Sequence, residues 1–250
     1  MPRIGPPACA VLCLLFALPP KPSAAADCPV PPDIFLFEPT LPHLVDSLVS
    51  GKPVTIVAIG GASTEGRAAE GAEHSWPSRL GVELSRDFPQ ATVTVVNLAR
   101  LRQTSAAVAR RLEKEVITKN PSLVIWETGT VDAVRKVELG EFQDTLQSAV
   151  ALLKRNSEVV LMDMQFSRGV QSFVDFEPYR KVLQQVSDLN DIPLFPRTEL
   201  MREWSETGEI DYRVKDKQQR RDMARKLYRC IGAAVAVFLT RGTPPPEAGR

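Results

Sequence analysis

A chain of 250 residues with 44% hydrophobic residues can bury a full core, most naturally as one domain. Thirty-one basic residues against thirty acidic ones, with no long basic run, leave no concentrated positive face and exclude nucleic acid as a partner. Beyond the N-terminal segment that carries Cys9 and Cys13, the two remaining cysteines and the two histidines are far apart and lack ligand spacing, so neither a metal site nor a cofactor is expected.

The N-terminus reads as an export signal over residues 1–26. Arg3 supplies the charge, Ala8 to Leu18 the short apolar core, and PSAAA the small residues for cleavage near Ala26. That core is too short to span a bilayer and no other apolar run is longer, so no transmembrane segment is expected. A lipoprotein anchor on Cys28 fits poorly, because Asp27 precedes it where a small residue is preferred. Cleavage leaves Cys28 and Cys230, in a secreted or periplasmic protein. They can form one bridge tying the N-terminal segment to the last helix, or remain two thiols; the bridge is favoured.

A proline-rich lead-in follows (27–50), with CPVPPDIFLFEPTLP packed along the domain without regular structure. PVTIVAI, ATVTVVN, SLVIWE and EVVLMDM then read as strands buried on both faces, with a shorter fifth, DIPLF. Between them SWPSRLGVELSRDF, TSAAVARRLEKEVITK, GEFQDTLQSAVALLKRN and EPYRKVLQQVSDLN carry apolar residues at helical spacing. DMARKLYRCIGAAVAVFL closes the domain, and the basic stretch leading into it reads as a solvated helix face. Strands alternating with helices predict a three-layer α/β/α domain over 51–240 with a mainly parallel five-stranded sheet, flavodoxin-like in outline. The tail 241–250 is expected to be disordered. In such a domain the site lies outside the carboxyl ends of the strands, at GGASTEG, LARLRQTS, TGTVDA and QFSRG. GGASTEG lacks the lysine of a nucleotide-binding phosphate loop.

Several ordered blocks from about Val54 to Cys230, including SWPSRL, VVNLA, PSLVIWETGTVDA and LMDMQF, resemble the SGNH (GDSL-type) hydrolases. The likeness is greatest to secreted bacterial members with a GSSST-type first block and a VIWQxGTND strand. That resemblance implies an esterase or deacetylase scaffold. In it a serine after the first strand is activated by a histidine that an aspartate orients. The serine N–H, a glycine N–H and an asparagine side chain stabilise the oxyanion. Losing one such donor costs about 3–4 kcal/mol of barrier.

Carried over on Thr64 and Gly66, the first block puts Gly60 at its glycine, Gly61 beside it and Ala62 at the nucleophile. Ser63 falls one residue late. From Asn97, the second block puts Arg102 at the oxyanion glycine. The third reads Gly129, Thr130, Val131, Asp132, and valine cannot donate the asparagine's hydrogen bond. The last keeps Asp211 but has Val214 where the base belongs. Ala62, Arg102, Val131 and Val214 together imply that the scaffold persists without its hydrolytic machinery; with the export signal, the expectation is an inert, exported binding or accessory module, its partner left open between an unidentified small molecule and an envelope carbohydrate. Within it Arg102 either pairs with Glu65, Asp132 or Asp211, the favoured reading, or grips an anionic ligand. The alternative is a rewired ester hydrolase with Ser63 as nucleophile, His74 as base and Asp132 or Glu65 orienting it. Against that, serine is a routine turn or cap residue, and His74 reads as partly exposed before a helix.

Overall fold

The computed structural model describes residues 28–35, 40–167, 169 and 172–242. The expected signal segment and the tail from residue 243 lie outside them. The strands are β1 (Val54–Ile59), β2 (Val93–Asn97), β3 (Leu123–Glu127), β4 (Glu158–Met162) and β5 (Leu194–Phe195). They form one parallel sheet in the order β2-β1-β3-β4-β5. This is the three-layer α/β/α architecture expected from the alternation of strands and helices.

Alternate side chains along a strand face opposite ways, so each central strand feeds two cores. Ile56, Ala58, Leu123, Ile125, Val160 and Met162 pack on one face, with helices α1 (Pro42–Val49), α3 (Trp76–Asp87) and α9 (Lys217–Leu239). Val57, Ile59, Val124, Trp126 and Leu161 pack on the other, with α6 (Leu139–Lys154) and α7 (Glu177–Asn190). Helix α9 lies close on α3 at Gly232. A Cβ there would stand 2.9 Å from both Leu80 N and Trp76 O, closer than two backbones allow. Cys28 and Cys230 are joined by a disulfide, which fastens the segment before α1 to α9.

Three elements differ from the sequence expectation. The lead-in contains regular structure, a 3₁₀ turn at Pro32–Ile34 and helix α1. Leu44 and Leu48 of α1 are fully buried, so the domain's core begins before residue 51. The helix expected over TSAAVARRLEKEVITK is broken into α4 (Ser105–Ala109), a π-turn at Leu112–Val116 and a 3₁₀ turn at Ile117–Lys119. The break falls at Arg111, whose guanidinium donates to Leu98 O and Gln103 Oε1 and pairs with Glu115. Helix α8 (Arg197–Glu206), directly after β5, was not anticipated. The remaining short helices are α2 (Ala62–Glu65) and α5 (Thr130–Val134), each starting where a central strand ends.

Candidate functional site

The carboxyl ends of β1, β3, β4 and β5 converge on a buried polar cluster. Glu127, the last residue of β3, is only 6% exposed. Its Oε2 accepts from Gly61 N at 3.0 Å and from Thr64 Oγ1 at 2.8 Å, which pins the turn after β1. Gly60 makes the approach possible, since a Cβ there would come within 2.8 Å of Glu127 Oε2 and 2.6 Å of Thr64 Oγ1. Trp76 Nε1 donates to Thr64 Oγ1 and Asn97 Nδ2 to Thr64 O, at 3.2 and 2.6 Å. These bonds from Gly61, Thr64, Trp76 and Asn97 fix the turn in place.

Arg197, the first residue of α8, reaches into this turn with no exposed surface. Its Nη1 donates to Ser63 Oγ at 2.7 Å and lies 3.9 Å from Glu127 Oε1. Its Nη2 reaches Gln165 Oε1 at 3.5 Å, and its Nε has no hydrogen-bond partner among the described residues. Tyr212 borders the same charge. Burial pushes its phenol well above the usual range, and the Arg197 guanidinium only partly opposes this. The Tyr212 ring meets Phe166 edge-on at 6.3 Å.

A second buried cluster stands at the end of β4. Asp163 Oδ1 accepts from Thr198 N at 2.7 Å, and Oδ2 from Arg180 Nε at 3.3 Å. Arg180 also pairs with Glu177 at 3.1 Å and with Glu199. Burial, then repulsion from Glu199, pushes the Asp163 carboxyl up to about 7, with Arg180 and Thr198 opposing. Asp163 thus sets the start of α8 and with it the position of Arg197.

The residues singled out from sequence fall as follows. Ala62 is exposed, while Ser63 is buried and its Oγ bonds to Arg197. His74 receives a bond from Arg79 at Nδ1, 2.9 Å, and its Nε2 lies 3.4 Å from Glu73. The imidazole is therefore committed to its own neighbourhood. Asp132 is buried and accepts from Ser105 N and Ser105 Oγ, so it orients no histidine. Burial raises its carboxyl above the ordinary range. Asp211 is exposed and turned to Arg213, which lowers its carboxyl. Val131 and Val214 are half-buried.

Arg102 corrects one expectation. Among the described residues it makes no ion pair. Glu65 lies 4.0 Å from Arg67, Asp132 is taken by Ser105, and Asp211 by Arg213. Its backbone sits at φ 58°, the left-handed region natural to the glycine that the resemblance places there. Glu127, Arg197, Tyr212 and Asp163 were not picked out from sequence, although each lies at a strand end or in the loop before α9; Gln165 opens QFSRG, a stretch the sequence places at the site. No group of three or more His, Cys, Asp or Glu among the described residues is placed to hold a metal ion.

The family model described as the Non-GDSL lipase-like family matches residues 27–244. No curated protein matches the chain. Among solved structures, that of TesA is 18% identical, covering 73% of this chain and 97% of its own, with a TM-score of 0.58. A catalytic mutant of the acetylxylan esterase Axe2 from Geobacillus stearothermophilus is 21% identical, covering 72% of this chain and 94% of its own, with a TM-score of 0.54. A two-domain esterase active on acetylated mannans reaches 0.63 at 18% identity; it covers 84% of this chain, which spans 58% of that one. At these identities the likeness shows a shared fold of the SGNH hydrolase type.

Proposed function

Because the chain belongs to the Non-GDSL lipase-like family, we propose that it is an exported SGNH-type domain that binds a ligand and does not hydrolyse esters. The observation that carries this reading is the hydrogen bond from Arg197 to Ser63. A serine attacks a carbonyl only when a neighbouring group takes its proton. A guanidinium stays protonated inside proteins and can only donate, so Arg197 occupies one lone pair of Ser63 Oγ and cannot take its proton. Glu127 offers no replacement, because its Oε2 already holds Gly61 and Thr64 and its Oε1 faces Arg197. His74 is held by Arg79 and Glu73.

The positions that the SGNH resemblance assigns to chemistry add to this. Ala62 presents a methyl group where the attacking oxygen belongs, and Val131 stands where an oxyanion donor belongs. Val214 replaces the base, leaving Asp211 with nothing to orient. Each lost oxyanion donor removes about 10²–10³ in rate. With nucleophile and base gone as well, no ester chemistry is left to accelerate.

Export is supported by the leader-like N-terminus and by the Cys28–Cys230 disulfide, a bond that persists in oxidising compartments. No helix among the described residues is long and apolar enough to cross a membrane. Two structural neighbours are an acetyl xylan esterase and the two-domain esterase active on acetylated mannans. That supports an envelope or extracellular carbohydrate over other small molecules. Labelling with a serine-reactive fluorophosphonate tests the inert site. The purified protein should stay unlabelled under conditions that label an SGNH esterase, and covalent labelling at Ser63 would sink the reading. N-terminal sequencing of the exported protein should begin near Asp27; an intact Met1 on protein retained in the cytosol would contradict export.

A further inference from the structure

Arg180 of α7 divides its guanidinium among three carboxyl groups. Nη1 donates to the exposed Glu177 at 3.1 Å, Nε to Asp163 Oδ2 at 3.3 Å, and Nη2 to Glu199 Oε1. Nε and Nη2 lie along one edge of the fork, an edge that suits the two oxygens of a single carboxylate. Here Asp163 and Glu199 each place one oxygen on it. Two carboxyl groups are thereby held where one negative charge is balanced and a second is not.

Their surroundings do not make up the difference. The Asp163 side chain is 3% exposed, and its other oxygen accepts from Thr198 N at 2.7 Å. Glu199 Oε2 is buried with no hydrogen-bond partner among the described residues. Of the other charged groups on these elements, Glu177 adds to the negative side and Asp175 accepts from Glu177 N. Arg202 stands over the Phe166 ring at 5.8 Å, and Arg197 is turned to Ser63 and Glu127. Two carboxyl groups so placed do not both ionise readily, and one keeps a proton. Burial, and then the Glu199 charge, raise the Asp163 carboxyl to about 7, in agreement with this geometry.

The pair sits at the start of α8. Thr198 and Glu199 are its second and third residues, and Arg197, the first, donates to Ser63 Oγ. When both groups are charged, Glu199 is the one that can turn to solvent, because its side chain is 35% exposed. Its departure removes the Arg180–Glu199 bond, a tie between the first turn of α8 and α7. Thr198 N on Asp163 and Thr198 Oγ1 on Met164 O are the ties that stay.

We propose that Asp163 and Glu199 share a single proton, and that giving it up to solvent loosens the first turn of α8 and lets Arg197 leave Ser63. This rests on the reading above of Ser63 as held by Arg197, and it names what regulates that hold. The test uses the full disulfide-bonded protein. Carbon-13 NMR of the carboxyl groups, assigned with D163N and E199Q, should show Asp163 and Glu199 titrating as a pair, the second step at about pH 7. E199Q should bring the Asp163 midpoint down by about one pH unit or more, since the second charge is gone. Amide hydrogen exchange, corrected for its intrinsic pH dependence, should lose protection at Thr198 and Leu200 by about tenfold from about pH 5 to about pH 9. The coupling between S63A and R197M in urea unfolding should fall by about half or more over the same range. D163N should show no such loss of protection.

Separate titration of both groups below about pH 5, as ordinary carboxylates behave, would overturn the shared proton. Protection or coupling unchanged through the titration, or an equal loss in D163N, would overturn the switch. A loss that extends through the whole sheet would be unfolding, and would overturn it too. Failure here is distinguishable from failure of the inert-site reading. Fluorophosphonate labelling of Ser63 bears on that reading, whereas carboxyl titration and amide exchange are indifferent to the reactivity of Ser63.

Discussion

Replacing Arg197 with methionine tests the cluster on which the site rests. The change keeps most of the side chain's length and removes its charge. Glu127, 6% exposed, then loses the guanidinium 3.9 Å from its Oε1, and Ser63 Oγ loses the donor at 2.7 Å. Removing one partner of a buried ion pair costs about 3–5 kcal/mol, since the remaining charge stays desolvated. The separation is loose and Glu127 Oε2 keeps two hydrogen bonds, which argues for the lower end, about 3 kcal/mol. For a domain of this size that lowers Tm by about 6–12 °C. Thermal unfolding followed by circular dichroism at pH 7 reads the shift directly. Adding E127Q should recover part of the loss, with a coupling of more than about 0.5 kcal/mol. An R197M protein that melts within about 1 °C of the parent, or a loss unchanged in the E127Q background, would refute the reasoning.

Two further outcomes follow from the same structure. Asp163 holds its proton to about pH 7 when folded, whereas an ordinary aspartate releases it near 3.8. The native state therefore binds more protons through this window, and the stability Asp163 contributes falls as pH rises from about 4 to 7. D163N cannot titrate, so the stability difference between parent and D163N should change across that window by up to about 1.4 kcal/mol per pH unit. A difference that is flat with pH, measured by urea unfolding, would contradict the buried, Glu199-repelled carboxyl. The Cys28–Cys230 bridge spans 202 residues of sequence, and reduction should cost about 2–5 kcal/mol. A C28S/C230S protein should melt well below the oxidised parent and be insensitive to reductant; equal melting temperatures would remove the bridge from the account of stability.

The sheet was legible because its strands are apolar on both faces. VTIVAI and LVIWE admit no amphipathic reading, and both became central strands. DIPLF was weaker for a physical reason, since β5 pairs only at Leu161 and Met162 and contributes two residues. The helix over 104–119 failed at Arg111, whose bonds to Gln103 Oε1 and Leu98 O override local propensity. Helix α8 was hidden because charges interrupt its pattern, although Leu200, Met201 and Trp204 are fully buried. Arg197 follows from a rule applied to four strands and not to the fifth, that the residues after each strand build the site. A glutamate ending the apolar run LVIWE was a similar signal. The partner of Arg102 was not legible. Which carboxylate a long side chain meets depends on loop geometry, and the three candidates had found closer partners.

The most direct measurement of the central claim is hydrolysis of p-nitrophenyl acetate by the purified, oxidised protein beside its S63A variant. The account predicts that both give the same rate, at the level of buffer with an unrelated protein. S63A should show itself instead in stability, by about 1–3 kcal/mol, because Arg197 Nη1 is left buried without its acceptor. Saturable turnover by the parent that disappears in S63A would contradict it, and would mean that Arg197 leaves Ser63 free to react.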